Sequence, residues 1–148
     1  MSTRRSFLIG DESNQHVQVS LLRRNRPECN DFWDGNWISS TVDLQVGAYE
    51  AHFGVDFRAE EFESFHTSVC ALYKSLRGSA CFKTMEEQLL LELIGDGHGH
   101  IRVEGTSIDR LCSGNRLDFK FELDQTYLAR LISGLEKCLS TYPVVGKR

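Results

Sequence analysis

The sequence predicts a single α+β domain in which two amphipathic helices pack on a mainly antiparallel sheet of about seven to eight strands. Over most of the chain, apolar and polar residues alternate with a period of two, as in half-buried antiparallel strands. This period changes to that of a helix once in each half of the chain, which gives the order βββ(β)α-ββββα. A chain of 148 residues without a low-complexity linker suits one domain, residues 1–148.

The first half of the chain predicts three or four strands and then a helix. Its strand segments are FLI, HVQVSLL, WISSTVDLQV and YEAHFGVDF, and the odd positions 49–57 of the last are predicted to face the core. The helix is predicted from an apolar stripe at Phe62, Phe65, Val69, Leu72 and Leu76. Glu60, Glu61 and Glu63 occupy its first turn, where the helix dipole favours anions. Gly78 is predicted to end the helix.

The second half repeats this plan with four strands and a second helix. Its strand segments are SACFKTM, QLLLELI, HIRVEG and RLDFKFELD. Asp124 is the predicted N-cap of the second helix. Within that helix, Gly134 lowers the intrinsic helix stability by about 1 kcal/mol relative to alanine, a loss that tertiary packing can offset. Residues 1–5 and 143–148 are predicted to be frayed.

Composition and charge are those of an ordinary folded chain. Hydrophobic residues make up 41% and charged residues 26% of the sequence, which argues against disorder. A formal net charge of −4 offers no basic face for phosphates, so nucleic acid is not expected as a partner. No apolar run approaches the roughly 18 residues of a membrane span, and Arg4 and Arg5 are not followed by the apolar stretch of an export signal. We expect a cytosolic protein whose mildly acidic surface suits a basic protein partner.

The cysteines are interpreted as reduced, partly buried thiols. They are Cys29, Cys70, Cys81, Cys112 and Cys138. Their number is odd and no CxxC pair occurs, which is unlike a disulfide framework or a zinc site. Cys70 and His66 lie four residues apart on the first predicted helix, but a buried thiol beside a surface histidine explains this pair without catalysis. No GxSxG motif occurs either, so we predict neither an enzyme nor a cofactor.

The segment NDFWDGNW, residues 30–37, places two tryptophans in a short polar stretch. A calcium loop would need a glutamate at its twelfth position, and neither aspartate of the segment has one at that distance. The sequence DGN favours a turn, but a turn requires no tryptophan. The alternation of the following strand puts Trp37 on the polar face. Trp33 and Trp37 therefore either cover that face or are available to a partner.

The glycine-rich segment GDGHGH is a second candidate site. His98 and His100 could bind a metal from one face of a strand, with His52 as a third candidate from another strand. Two ligands do not make a site, and no HExxH motif or neighbouring cysteine completes them. We therefore favour a hairpin turn and keep these histidines as weak metal candidates.

Taken together, the motifs resemble the Wap-type immunity family of bacteria. The stretches that carry the resemblance are DFWDGNW, RAEEFESFHTSVCALYKSLRGSACFKTME, LELIGDGHGHIRVEG and GNRLDFKFELDQTYLARLI. One departure is the start of the first helix, where Ala59 stands in place of a threonine-type N-cap. The resemblance implies an intracellular antidote that binds the C-terminal effector domain of a polymorphic toxin and blocks it.

We therefore expect a stoichiometric inhibitor that occludes a basic toxin domain without chemistry. The expected contacts are Phe32, Trp33, Asp34 and Trp37, with Glu60, Glu61 and Glu63 as steering charges. Two alternatives stay open: a small-molecule or metal-binding module that uses His98 and His100, and a structural subunit that dimerises through an edge strand. The sequence also leaves open whether the strands form one sheet or two.

Overall fold

Eight strands form two four-stranded antiparallel sheets in the computed structural model, which describes residues 5–148. The first sheet has the order β1 (Arg5–Gly10), β2 (His16–Arg24), β3 (Trp37–Val46) and β4 (Tyr49–Arg58). The second has the order β5 (Arg77–Phe82), β6 (Leu89–Asp96), β7 (His100–Ile108) and β8 (Arg116–Asp124). The helices are α1 (Phe32–Gly35), α2 (Ala59–Ser75) and α3 (Thr126–Thr141). The predicted α+β class and element order are confirmed, with two sheets rather than one and the single-turn helix α1 in addition.

The two long helices connect the halves of the chain. Helix α2 follows the first sheet in sequence but packs along β5 of the second sheet. Helix α3 follows the second sheet but packs along β1 of the first, and the two helices also pack on each other. Buried residues from both sheets and both helices consequently form one hydrophobic core. Each half thus depends on the helix of the other.

A group of phenylalanines lies at the centre of this core. Phe7 of β1, Phe57 of β4, Phe62 and Phe65 of α2, and Phe82 of β5 are each at most 1% exposed. The rings of Phe57 and Phe82 are 5.3 Å apart in an edge-to-face arrangement, and those of Phe62 and Phe82 are stacked at 5.9 Å. Such aromatic pairs add stability beyond the area that they bury. The group ties both sheets to α2.

Burial along β4 corrects one sequence prediction. The odd positions 49–57 were all expected to face the core, but Tyr49 is 63% exposed. Ala51 and Phe53 are half-buried, whereas Val55 and Phe57 are buried. Because β4 is an edge strand, coverage by the rest of the core decreases toward the hairpin that joins it to β3. The alternation along β4 therefore shows which residues share a face, but it does not predict how deeply they are buried near the β3–β4 hairpin.

The ends of the long helices also differ from the predictions. Leu76, and not Gly78, is the C-cap of α2, and it has a left-handed backbone conformation with φ of 60°. Its carbonyl accepts a hydrogen bond of 2.7 Å from Gly97 N in the hairpin after β6, so a tertiary contact stabilises the unusual backbone. Asp124 lies one residue before the actual N-cap of α3, yet its carboxylate accepts from the first backbone amide of that helix at 2.9 Å.

The chain termini were predicted to be frayed. Residues 1–4, including Arg4 of the arginine pair, lie outside the described residues. Arg5 belongs to β1, and its Nε donates to the Thr141 hydroxyl at 2.7 Å. Fraying of residues 143–148 stays a prediction, although the structure gives these residues specific contacts near α1. No helix within residues 5–148 combines the length and the apolarity that a membrane span requires.

Gly134 lies where α3 crosses β1. A Cβ at this position would be 3.0 Å from the Cα and the Cβ of Phe7 and 3.0 Å from the carbonyl oxygen of Ser6. The glycine therefore permits close packing of the helix on the strand. This contact explains why α3 tolerates a residue that weakens helices.

Gly134→Ala is expected to destabilise the protein despite the higher helix propensity of alanine. Moving the backbone of β1 to admit a methyl group typically costs about 1–3 kcal/mol, which exceeds the propensity gain of about 1 kcal/mol. Urea unfolding measures the difference. The control is Ser133→Ala, an exposed position of α3, which is expected to be neutral or slightly stabilising. A Gly134→Ala protein more stable than wild type would contradict the packing argument.

Candidate partner-binding site

The tryptophan segment forms the single helical turn α1. The carboxylate of Asp31 accepts hydrogen bonds from the backbone amides of Trp33 at 3.0 Å and Asp34 at 3.1 Å. Asp31 is thus the N-cap, and its carbonyl accepts from Gly35 N at 2.7 Å. The predicted turn is present, and one carboxylate that a calcium loop would need is occupied by the cap.

Arg58 connects α1 to α2. Its side chain is 1% exposed, and its guanidinium donates to the carbonyls of Phe32 at 2.7 Å and Trp33 at 2.8 Å. The remaining Nε donates to the carboxylate of Glu60. Arg58, and not Ala59, is the N-cap residue of α2, which corrects the sequence prediction. The planar fork of arginine suits this set of acceptors, since it offers several donors in fixed directions.

The same guanidinium lies beside three aromatic rings. Its Cζ is 5.3 Å from the ring centroid of Phe32, 5.7 Å from that of Trp33 and 4.9 Å from that of Trp37. Arg58 is also the cross-strand partner of Trp37 in the β3–β4 hairpin. Cation–π attraction strengthens when the cation is removed from water, as it is here. Arg58 therefore holds the aromatic residues of the segment in one arrangement.

Residues that follow α3 in the chain also contact α1 and hold it in place. Asn36 is fully buried, and its amide donates to the carbonyls of Phe32 at 2.9 Å and Val145 at 3.0 Å. Its Oδ1 accepts from Val145 N at 2.9 Å. Gly146 approaches so closely that a Cβ there would lie 2.5 Å from Phe32 N. Arg148 then places its guanidinium 5.8 Å from the Trp33 ring.

This scaffold leaves part of the aromatic segment on the surface. Trp33 is 51% exposed, and Trp37 is half-buried on the face that the alternation predicted. Asp34 is exposed and makes a loose ion pair of 3.8 Å with Arg26. Phe32 was expected to be a contact, but it is 7% exposed and its ring meets that of Trp33 edge-to-face at 5.1 Å. Phe32 therefore supports Trp33 and does not belong to the surface.

The three glutamates of α2 have different environments. Glu60 is the ion-pair partner of buried Arg58, and its Oε1 is buried without a hydrogen-bond partner among the described residues. Glu61 accepts from the backbone amides of Arg58 at 2.8 Å and Met85 at 2.6 Å. Burial raises the pKa of Glu61. Glu60 and Glu61 thus hold the start of α2, whereas Glu63 is exposed, and the expected role of the three as steering charges stays a prediction.

The histidine turn is organised by a carboxylate. Asp96 accepts from the backbone amide of His98 at 2.7 Å, and its Oδ2 lies 3.1 Å from Nδ1 of His100. These hydrogen bonds, first that from His98, hold the pKa of Asp96 below its ordinary value. His52 belongs to the other sheet, where it pairs with Asp43 at 2.6 Å. No group of three potential metal-binding side chains occurs within the part of the chain described here.

The neighbouring cysteine and histidine of α2 do touch. Cys70 Sγ is 3.5 Å from Nε2 of His66, and the same nitrogen is 3.0 Å from the carboxylate of Glu136 on α3. Burial, with the negative charge of Glu136, raises the pKa of the Cys70 thiol. Burial also raises the pKa of Cys138 to about 12. A nucleophilic cysteine needs a lowered pKa, so this contact connects the two helices and does not activate a thiol.

Sequence reasoning did not single out Arg58. A signal was present, because extending the predicted strand YEAHFGVDF by one residue places Arg58 opposite Trp37, on the polar face of the hairpin. A cationic side chain opposite a tryptophan favours a cross-strand cation–π pair. Its hydrogen bonds to α1 had no comparable signal, since they depend on how the loop before β3 folds back.

The structure defines a single α+β protein with two interlocked ββββα halves and a half-exposed tryptophan that is held by a buried arginine. The chain belongs to the immunity protein WapI-like family, whose family model matches residues 7–143. The resemblance to the Wap-type immunity family is therefore confirmed. The family is named for immunity, a toxin-neutralising role.

The comparison with curated proteins finds no match. Among solved structures, the crystal structures of Trypanosoma bruciei MRP1/MRP2 include a similar chain, with 8% sequence identity and a TM-score of 0.49. The similarity covers 97% of this chain and 88% of that chain. A likeness at this level says nothing about function.

Arg58→Met is expected to destabilise the protein by about 3–5 kcal/mol. The substitution keeps an apolar stem but leaves Glu60 without its ion-pair partner and removes the arginine donors to the carbonyls of Phe32 and Trp33, of which that of Phe32 keeps its hydrogen bond from Asn36. Equilibrium unfolding in urea measures the loss. The control is Arg102→Met, because Arg102 forms an exposed ion pair with Glu104 at 3.0 Å, and such pairs contribute about 1 kcal/mol or less. Equal effects of the two variants would contradict the central role of Arg58.

Glu61→Gln is expected to change how stability depends on pH. Because the pKa of Glu61 is raised above its ordinary 4.5, the folded state binds this proton more tightly than the unfolded state. This residue's contribution to the free energy of unfolding therefore falls as the pH rises from 4.5 through the raised folded pKa. The variant lacks that contribution, so its stability relative to wild type should increase across this window and then level off.

Urea unfolding over a pH series tests this expectation. Glu63→Gln removes an exposed carboxylate from the same helix and is expected to keep the wild-type pH dependence. If Glu61→Gln also kept the wild-type dependence, burial of Glu61 would not control the titration.

Proposed function

We propose that this protein is a non-catalytic immunity protein that neutralises a cognate toxin domain in the cytoplasm by stoichiometric occlusion. Membership in the immunity protein WapI-like family supports the toxin-neutralising role. The half-exposed Trp33, held by buried Arg58, is the observation that carries the proposed mode of binding. The partner is a protein domain with a basic surface, in keeping with the net charge of −4.

The proposed contact surface consists of Trp33, Asp34, the exposed part of Trp37, and Glu63. A tryptophan that is already ordered loses little conformational freedom on binding, and large aromatic anchors carry much of the energy of protein interfaces. Asp34 and Glu63 are exposed carboxylates that can attract a basic partner before contact. Phe32, Glu60 and Glu61 support this surface from below.

Inhibition by occlusion fits the chemistry of the described residues. The Cys70 thiol has a raised pKa, and the titratable pair formed by His66 and Glu136 connects two helices. The alternative of a metal module at His98 and His100 has no supporting observation, because no group of three potential metal-binding side chains occurs within residues 5–148. We therefore propose that the protein neutralises the toxin domain through its contact surface.

Trp33→Ala is expected to weaken binding to the toxin domain encoded beside this gene by roughly 30-fold or more, as for an interface hot spot. Isothermal titration calorimetry measures the affinity, and survival of cells expressing the toxin measures protection. The control is Tyr73→Ala, which removes an aromatic ring that is 45% exposed near the far end of α2. Wild-type protein that neither binds nor protects would overturn the proposed function. Binding unchanged by Trp33→Ala would overturn the proposed surface.

A further inference from the structure

The four edge strands of the two sheets are protected to different degrees. Helix α3 covers β1, and helix α2 covers β5. Strand β8 carries alternating charges that neutralise one another, including an ion pair of 3.1 Å between Arg116 and Asp118. Strand β4 pairs with β3 in unbroken register over ten residues, and no strand of the described chain pairs with its other side. It contains neither proline nor lysine, the residues that commonly prevent an edge from pairing.

Gly54 stands in the middle of this edge strand without a requirement from the fold. Its φ lies outside the left-handed region, and a Cβ there would meet one described atom within 4 Å, the Ser40 carbonyl oxygen at 3.9 Å. A side chain would therefore fit in the isolated protein. Glycine inside a strand is unfavourable, because it adds conformational entropy to the unfolded chain and has no side chain to pack.

The other glycines of the chain each have a structural reason. Gly10, Gly47, Gly78, Gly97, Gly99 and Gly146 have φ between 59° and 102°. At Gly35, Gly95, Gly105, Gly114 and Gly134, a Cβ would lie 3.0 Å or less from another atom. Gly54 alone among the twelve glycines has neither reason. Nothing in the described fold therefore requires a glycine at position 54. Glycines in strands often mark the close approach of a ligand or another backbone.

The charges beside Gly54 indicate the chemistry of what approaches. Asp56 lies next to Gly54 on the same face of β4, and Glu50 lies on that face beyond His52, which pairs with Asp43. Neither Glu50 nor Asp56 forms an ion pair with another residue in the described part of the chain. Asp56 accepts only weak hydrogen bonds from neutral groups, 3.3 Å from Asn25 and 3.4 Å from Ser39. Two unpaired carboxylates on an open edge favour a cationic partner.

The core-facing side of β4 is also incomplete. Ala51 and Phe53 point toward the core but are only half-buried. A further strand beside β4 would cover them with its own inward side chains. The edge leads directly to the aromatic surface, because Arg58 at its end is the cross-strand partner of Trp37.

We propose that β4 is a docking edge, where an extended basic segment of the toxin domain adds a fifth strand to the first sheet. Backbone hydrogen bonds to β4 supply affinity, and two cationic side chains of the segment lie opposite Glu50 and Asp56. A large side chain between them folds over Gly54, as cross-strand side chains do over glycines in sheets. This inference rests on the proposed function, since it takes the neutralised toxin domain as the partner.

Gly54→Thr tests the docking edge, because the proposal predicts opposite effects on stability and on binding. Threonine favours strands, so the variant should unfold at a higher temperature than wild type. The added side chain occupies the space reserved for the partner, so the dissociation constant for the purified toxin domain should rise about tenfold or more. The control is Gln18→Thr, which introduces the same residue on central strand β2 and should leave affinity unchanged.

Two further measurements address the mode of pairing. Glu50→Lys/Asp56→Lys should weaken binding about tenfold or more at low salt, mainly through slower association, and less at high salt. Hydrogen exchange should show that complex formation protects the alternate β4 amides that point away from β3.

The outcomes separate this inference from the proposed function. If wild-type protein does not bind the toxin domain, both are overturned. If wild-type protein binds and Trp33→Ala weakens binding, but Gly54→Thr binds within twofold of wild type and the β4 amides exchange as before, the docking edge alone is overturned. A homodimer in light scattering with the β4 amides already protected would make a second copy of this chain the occupant and would also overturn it.

Discussion

The buried guanidinium of Arg58 is the group on which the proposed binding surface and the start of α2 depend. A charge removed from water requires compensation, and here Glu60, two carbonyls of α1 and three aromatic rings provide it. Because the acceptors come from a loop and a helix far apart in sequence, the ionic group specifies how these parts meet. The half-exposed Trp33 is ordered as a consequence.

The two long helices connect the site around Arg58 to both halves of the domain. Helix α2 begins directly after its N-cap Arg58 and packs along β5 of the second sheet, while α3 packs along β1 of the first sheet and ends shortly before Val145, which is hydrogen-bonded to Asn36. The site therefore lies where both halves of the chain converge. The proposed binding surface is thus built on a junction that is held in place without being part of the central core, and such preorganisation favours tight binding.

The candidate site was partly accessible to sequence reasoning. Strand alternation placed Trp37 on the polar face, and the failed calcium spacing left a turn, both of which the structure confirms. Residue type alone did not reveal the structural contacts of Phe32, Glu60 and Glu61, because an aromatic ring or a carboxylate serves equally in a contact surface or in its support. Contacts with Arg58 distinguish the two roles, and tertiary packing determines which residues make those contacts.

The sequence by itself determined the α+β class, the two long helices, the order of the strands along the chain, and which residues share a face in strands that alternate clearly, such as β3. These features depend on local periodicity and on the chemistry of neighbouring residues. Tertiary structure alone decided that the strands divide into two sheets, that each helix packs on the other half, and that Leu76 adopts a left-handed backbone. It also decided which charges are buried, because burial and pairing arise between residues whose distance along the chain carries no information about their distance in space.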